Sequence, residues 1–309
     1  MSKRTRVVAV AAVLVLICAA GAVAAYQLWW AVDDPASAQC SEPPVSLGSE
    51  RSASDHRELD LTFTCEDVAL SGTAYLPDGQ GPFPAVVWVH GAGPAERLRW
   101  GGEVLPGLVR AGVAVLSFDK RGAGASEGEC CPGDEGYFNL LTSDVEGAVA
   151  VLRGLPDVDA DHVGLVGASQ AGWIVPRAAI EADAAFVALA SAPTVPERTA
   201  NLYERLAHGE EGELSRDEIA SRLQDAGSDG FDPLPDLQHM TMPGLWLFGS
   251  ADDVTPVEES VEVLDHLKAD GHDVTVEVFP DAGHGLLDVP PAASDAPPTL
   301  IAWVSNHVR

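Results

Sequence analysis

Residues 167–173, GASQAGW, set one serine among small residues at the end of a short apolar run. That run, 162–167, is rich in branched side chains and predicts a buried strand. The stretch 173–182 lacks internal glycine and predicts a helix, in which Pro176 is tolerated only in the first turn, where a missing N–H costs little. A strand that becomes a helix through so few residues leaves no room for bulky side chains. The expected result is a nucleophile elbow, a strained turn that holds Ser169 with its hydroxyl exposed. Gly-rich strand-to-helix turns also hold phosphates or simply reverse the chain, so context must decide. The match is imperfect as well: Ala171 stands where the strict G-x-S-x-G pattern has glycine, and Gly172 comes one place late.

Outward from the elbow, apolar runs alternate with helical stretches. A hairpin is expected at 59–64 and 68–76, turning at Glu66-Asp67, and further strands at 85–89, 113–118, 162–167, 185–190, 245–248 and 274–279. Helices are expected at 98–111, 137–152, 173–182, 257–269 and 298–307. This order predicts an α/β fold, a mostly parallel eight-stranded sheet with helices on both faces and right-handed crossovers. Such sheets bind ligands at the carboxyl ends of their strands. The acidic segment 196–239 (ERTANLYERL, SRDEIASRLQDAG, DGFDPLPD) is too long for an ordinary connection. It reads as a small lid inserted between the sixth and seventh strands, or as a solvated helical excursion without a role.

Four features fall at strand ends. Besides Ser169 there is His90-Gly91-Ala92-Gly93 after PAVVWV, whose glycines let backbone N–H groups turn toward a carbonyl oxygen. Its donor would be the Ala92 N–H, with that of Gln170 as the second. GSADDVTP follows LWLF and offers Asp252 or Asp253 to orient an imidazole, with Asp252 favoured. Asp281-Ala282-Gly283-His284-Gly285 follows VTVEVF and places His284 between glycines on a loop, where a core role is unusual; Asp281 serves the turn. His162, His239 and His266 read as surface or structural. The chain order Ser, Asp, His is that of the α/β-hydrolases and not of the chymotrypsin or subtilisin arrangements.

The ends of the chain bound the setting. Met-Ser-Lys-Arg-Thr-Arg precedes an uncharged apolar stretch, 7–25, so residues 1–32 read as a membrane anchor or as a cleaved signal peptide ending near Ala22-Val23-Ala24. Either reading puts the body of the protein outside the cytoplasm. Residues 33–58 read as a polar linker, and 59–309 as the catalytic domain. Four cysteines besides Cys18 suggest disulfides in an oxidising compartment. They allow three pairings, of which Cys40 with Cys65 is favoured because it ties the linker to the first strands; buried free thiols are the alternative. No zinc spacing occurs, so no metal is expected. A net charge of −29 repels nucleic acid and anionic lipid, leaving contact with a membrane to the N-terminal segment alone.

On these residues, together with GPFPAVVWVHGAGP and FDKRGAGASEG, the stretch from 59 to about 308 resembles α/β-hydrolases of the dienelactone hydrolase and prolyl-oligopeptidase-like esterase type. The resemblance implies the α/β-hydrolase fold, with Asp119, Arg121 and Gly124 as supports beneath the pocket. It also implies a serine hydrolase without a cofactor, acting on a small ester through Ser169, Asp252 and His284, with Ala92 and Gln170 at the oxyanion. A peptidase or a cell-surface acyltransferase would use the same three residues. A silent binding protein on the same scaffold is the alternative that the Ala171 departure leaves open.

Overall fold

Among the described residues, branched and aromatic runs separated by polar turns build nine strands: β1 (Val45–Ser52), β2 (His56–Cys65), β3 (Val68–Pro77), β4 (Phe83–Val89), β5 (Ala114–Phe118), β6 (Val158–Ala168), β7 (Val187–Ala190), β8 (Gly244–Gly249) and β9 (Val274–Phe279). The structure, a computed structural model, describes residues 40–97, 102–132, 135–224, 230–288 and 295–308. The segment expected as anchor or signal peptide, and the linker as far as residue 39, lie outside the described residues. Among the described residues, no helix is long and apolar enough to cross a membrane.

The strands form one sheet in the order β1-β2-β3-β5-β4-β6-β7-β8-β9. The first four in that order pair antiparallel, and from β5 onward all pairs are parallel. The β2–β3 hairpin turns where expected: Cys65 pairs with Val68, and Glu66 and Asp67 both take positive φ, 49° and 61°. A two-residue turn with that geometry matches the twist of the flanking strands.

The sequence predicts eight strands; the ninth is β1, inside the stretch 33–58 read as a linker. All eight of its residues are exposed, so it carries no apolar alternation by which a strand is recognised. Backbone pairing to β2 holds it. Ion pairs of Arg51 with Glu58 and Asp60, and of Arg57 with Glu50, decorate that edge; exposed pairs contribute about 0–1 kcal/mol each.

Two cores flank the sheet, because successive side chains of a strand point to opposite faces. On one face Val86 and Trp88 of β4 and Leu245 and Leu247 of β8 pack with helices α1 (Val104–Arg110) and α8 (Ala296–His307). On the other, Val87, Val89, Leu165, Trp246 and Phe248 pack with α2 (Glu135–Gly154), α3 (Val175–Glu181) and α7 (Val257–Ala269). Leu165 lies in the middle of the sheet and is fully buried, so truncating it to alanine costs about 2–5 kcal/mol.

Between β7 and β8 the described residues of the acidic segment form three short helices, α4 (Glu197–Ala207), α5 (Arg216–Gln224) and α6 (Leu234–His239). Cys40 and Cys65, the favoured pair, are both buried with Cα atoms 5.1 Å apart, within disulfide range. Cys130 and Cys131 lie beside the Tyr137 hydroxyl, at 3.7 and 3.6 Å.

Candidate active site

Strand β6 delivers Ser169 to its carboxyl end. The serine takes φ +55°, a left-handed conformation that a side chain disfavours, and opens a 3-10 turn, Ser169–Trp173, before α3. Pro176 falls in the first turn of α3, as expected. Close packing keeps this turn tight. A Cβ on Gly172 would come within 2.2 Å of the Pro193 carbonyl oxygen, and one on Gly167 within 2.7 Å of the Ala171 methyl. Ala171 is thus accommodated because residue 167 has no side chain, and backbone contact demands glycine at 167, where a Cβ would also meet Val89 O at 2.7 Å, as well as at 172.

Two other strands deliver its partners. After β9, His284 brings Nε2 to 3.0 Å from Ser169 Oγ, and its Nδ1 lies 3.0 and 3.1 Å from the two carboxylate oxygens of Asp252, which follows β8. A carboxylate only accepts, so Nδ1 carries the proton and Nε2 is left to accept the Ser169 hydroxyl. The Asp252 carboxylate is fully buried and also accepts the backbone N–H groups of Val254 (2.9 Å) and Thr255 (2.8 Å). Asp253 is different: its side chain is 62% exposed and faces His208 at 3.4 Å. The structure therefore brings together Ser169, His284 and Asp252, and leaves Asp253 outside.

Ser169 sits between two small clefts, with about 280 and 380 Å³ of open volume. Ala190, Leu287 and Asp288 line the first. Ala92, Gln170 and Trp173 line the second, closed from the insertion by Ala200, Asn201 and Glu204 of α4. Both sequence-predicted donor residues thus face the same space as the Ser169 hydroxyl, and the insertion forms one wall of it.

Beneath this rim lie the residues of the FDKRGAG stretch. Burial alone would raise the Asp119 carboxyl, but Arg97 and the backbone N–H groups of Arg97 and Ala125 hold it below its ordinary value. The guanidinium of Arg121 forks onto the buried carboxylate of Asp144 at 2.6 and 2.7 Å. Gly124 takes φ +55° with the Asp119 carboxylate where its side chain would be.

Sequence reasoning missed four supporting groups. Lys120, fully buried, donates to Gly91 O, Gly93 O and Gln170 Oε1. The Ser191 hydroxyl donates to His284 O at 2.8 Å, Thr255 donates to Ser191 O at 2.9 Å, and the Tyr203 hydroxyl of α4 donates to Asp252 O at 2.8 Å. A lysine in a chain with only three was the one available signal; hydroxyls bonded to backbone carbonyls leave no pattern in sequence. Among the described residues, no group of three or more His, Cys, Asp or Glu side chains converges to hold a metal ion.

Residues 108–309 match the prolyl oligopeptidase family. Esterase EstD of Thermotoga maritima is 26% identical over 74% of this chain and 60% of its own length. Thiohydrolase aneE of Aspergillus aculeatus is 34% identical over 36% of this chain and 33% of its own length. The chain therefore matches between one third and three fifths of the length of these relatives. Among solved structures, the acetyl xylan esterase of Paenibacillus sp. R4 superposes with a TM-score of 0.64 at 18% identity, over 89% of this chain and 93% of that one. Acetyl xylan esterase 1 of Thermoanaerobacterium sp. JW/SL YS485 gives 0.61 at 19%, over 85% and 88%. Likeness at such identity shows the fold alone, and that fold is the α/β-hydrolase.

Proposed function

This chain is a member of the prolyl oligopeptidase family, and from that premise we propose that it is a serine hydrolase that cleaves carboxylic esters outside the cytoplasm. The observation that carries the reading is the unbroken relay from Ser169 Oγ to His284 Nε2 and from His284 Nδ1 to Asp252. In the proposed reaction His284 takes the hydroxyl proton as Ser169 Oγ bonds to the ester carbonyl carbon, and Asp252 stabilises the imidazolium. The carbonyl oxygen, now negative, accepts the N–H groups of Ala92 and Gln170; a donor preorganised in this way contributes about 3 kcal/mol. The bond to the alcohol then breaks, and the alcohol leaves with the proton from His284. Water, deprotonated by the same imidazole, attacks the acyl-serine and releases the acid and Ser169.

The names of EstD and of the acetyl xylan esterases favour an ester over an amide substrate. The location rests on the basic residues before the apolar stretch 7–25, and on Cys40 and Cys65 standing within disulfide reach. Turnover of p-nitrophenyl acetate and of an aminoacyl p-nitroanilide by wild type and Ser169→Ala tests the chemistry. Ester cleavage lost in the variant is expected. Amide cleavage well ahead of ester cleavage would make the protein a peptidase, and full activity in Ser169→Ala would remove the assignment.

A further inference from the structure

Lys120 follows β5 directly and is fully buried. Its ammonium has three N–H donors, and all three are used: Gly91 O at 2.6 Å, Gly93 O at 3.0 Å and Gln170 Oε1 at 2.9 Å. No carboxylate is among these contacts, so the charge is met by neutral carbonyl oxygens alone. Its backbone N–H adds a fourth tie, to Ala95 O at 2.9 Å. Two of the three acceptors belong to the glycine loop after β4, and the third belongs to the elbow after β6.

We propose that Lys120 is the positioning residue of the oxyanion site, locking the loop that carries the Ala92 N–H to the elbow that carries the Gln170 N–H. The proposal rests on the reading above, in which these two N–H groups receive the negative oxygen. The physical reason lies in the peptide bond. Gly91 O and the Ala92 N–H belong to one planar trans peptide, in which carbonyl and N–H point in opposite directions. Drawing Gly91 O inward onto the buried ammonium turns the Ala92 N–H the other way, to the cleft that Ala92 lines. The cation also polarises that amide and makes its N–H a stronger donor. Gly93, at φ +75°, bends the loop so that a second carbonyl reaches the same ammonium. The bond to Gln170 Oε1 then fixes the loop against the residue next to Ser169.

A hydrocarbon at residue 120 would leave three acceptors without their donor, and the loop would be free to turn its peptide. Burial lowers Lys120 to about 8. The titratable groups around it are His90, directly after β4, kept neutral by burial and lowered to about 3, and Asp119, engaged by Arg97. Loss of the ammonium charge near pH 8 therefore weakens the same network that a substitution removes.

The test uses the full chain and p-nitrophenyl acetate, with kcat and KM measured for wild type, Lys120→Met and Ser169→Ala. Lys120→Met is expected to lower kcat about 100-fold with KM changed less than about threefold, the signature of a group acting in the transition state. Wild-type kcat is expected to fall above about pH 8, and the variant to lack that alkaline limb. A variant within about threefold of wild-type kcat, or a loss expressed in KM alone, overturns the proposal. Should that variant fail to fold, Gln170→Ala, which keeps the N–H of residue 170 and removes only the Oε1 acceptor of Lys120, decides instead: kcat within about twofold of wild type overturns the proposal. If Ser169→Ala is also active, the hydrolase reading has failed; if it is dead while Lys120→Met is unimpaired, only the role of Lys120 has.

Discussion

The methyl group of Ala171 and the bare Cα of Gly167 face each other across the elbow, and a side chain on residue 167 would meet that methyl at 2.7 Å. Gly167→Ala and Gly172→Ala are therefore each expected to destabilise the protein by about 1–3 kcal/mol, as overpacked sites do, and to lower turnover. Ala171→Gly removes a buried core methyl but touches none of the reacting groups, and is expected to keep most activity. Thermal unfolding and ester turnover of the three variants check the order; a harmless Gly172→Ala would contradict the close contact with the Pro193 carbonyl.

Asp252 and Asp253 are neighbours with different fates. Asp252→Asn is expected to reduce kcat by about 10³–10⁴, since the amide no longer favours the tautomer that leaves Nε2 free. Asp253→Asn, on an exposed side chain beside His208, is expected to stay within about twofold. Equal losses in the two would count against the assignment of the acid.

His90 gives folding a predictable pH dependence. Its ring is fully buried, and burial, with the nearby positive charge of Lys120, lowers its pKa to about 3 against the opposing pull of the Phe118 backbone. The unfolded chain binds the proton near pH 6.5, so the stabilisation is complete above that value and declines as pH falls toward 3. The slope contributed is at most about 1.4 kcal/mol per pH unit. Urea unfolding at several pH values should show wild type losing stability relative to His90→Leu across that window; parallel curves would show that the imidazole is not held neutral.

Cys40 and Cys65 are separated by 25 residues. If oxidised, the pair constrains the unfolded chain by about 3 kcal/mol. Mass spectrometry of peptides alkylated without reduction should recover them joined, and the Cys40→Ser/Cys65→Ser double variant should melt at lower temperature. Both thiols alkylated in protein isolated without reductant would exclude the bond.

Tyr203 ties the insertion to the acid loop by donating to Asp252 O. Tyr203→Phe is expected to cost about 1 kcal/mol in stability, because one hydrogen bond is lost while the ring still packs. Calorimetric melting of the variant checks it, an unchanged transition being the contrary result.

The elbow, both glycine-flanked loops and the parallel core were legible because they rest on local rules: strand ends, turn-forming residues and apolar alternation. The pairing of Asp252 with His284 was favoured in sequence, but choosing between adjacent aspartates needed the backbone N–H groups of Val254 and Thr255, which aim one carboxylate inward. β1 escaped because an edge strand with both faces in water has no hydrophobic period. Lys120 escaped for a different reason. Its partners are carbonyl oxygens at residues 91 and 93 and an amide 50 positions away, and a backbone acceptor looks the same in every sequence.

Ser169, Asp252, His284 and the loop of Ala92 each hang from a separate strand of one rigid sheet, whereas the wall contributed by α4 arrives on a single excursion between β7 and β8. Reactivity and selectivity are therefore carried by largely separate parts, joined where Tyr203 of α4 donates to Asp252 O. Exchanging the remainder of residues 196–239 with Tyr203 kept in place would remodel that wall, and so the range of molecules admitted, while the spacing of the reacting atoms stayed fixed by the strands. That makes the excursion the natural place to graft a new preference onto this scaffold.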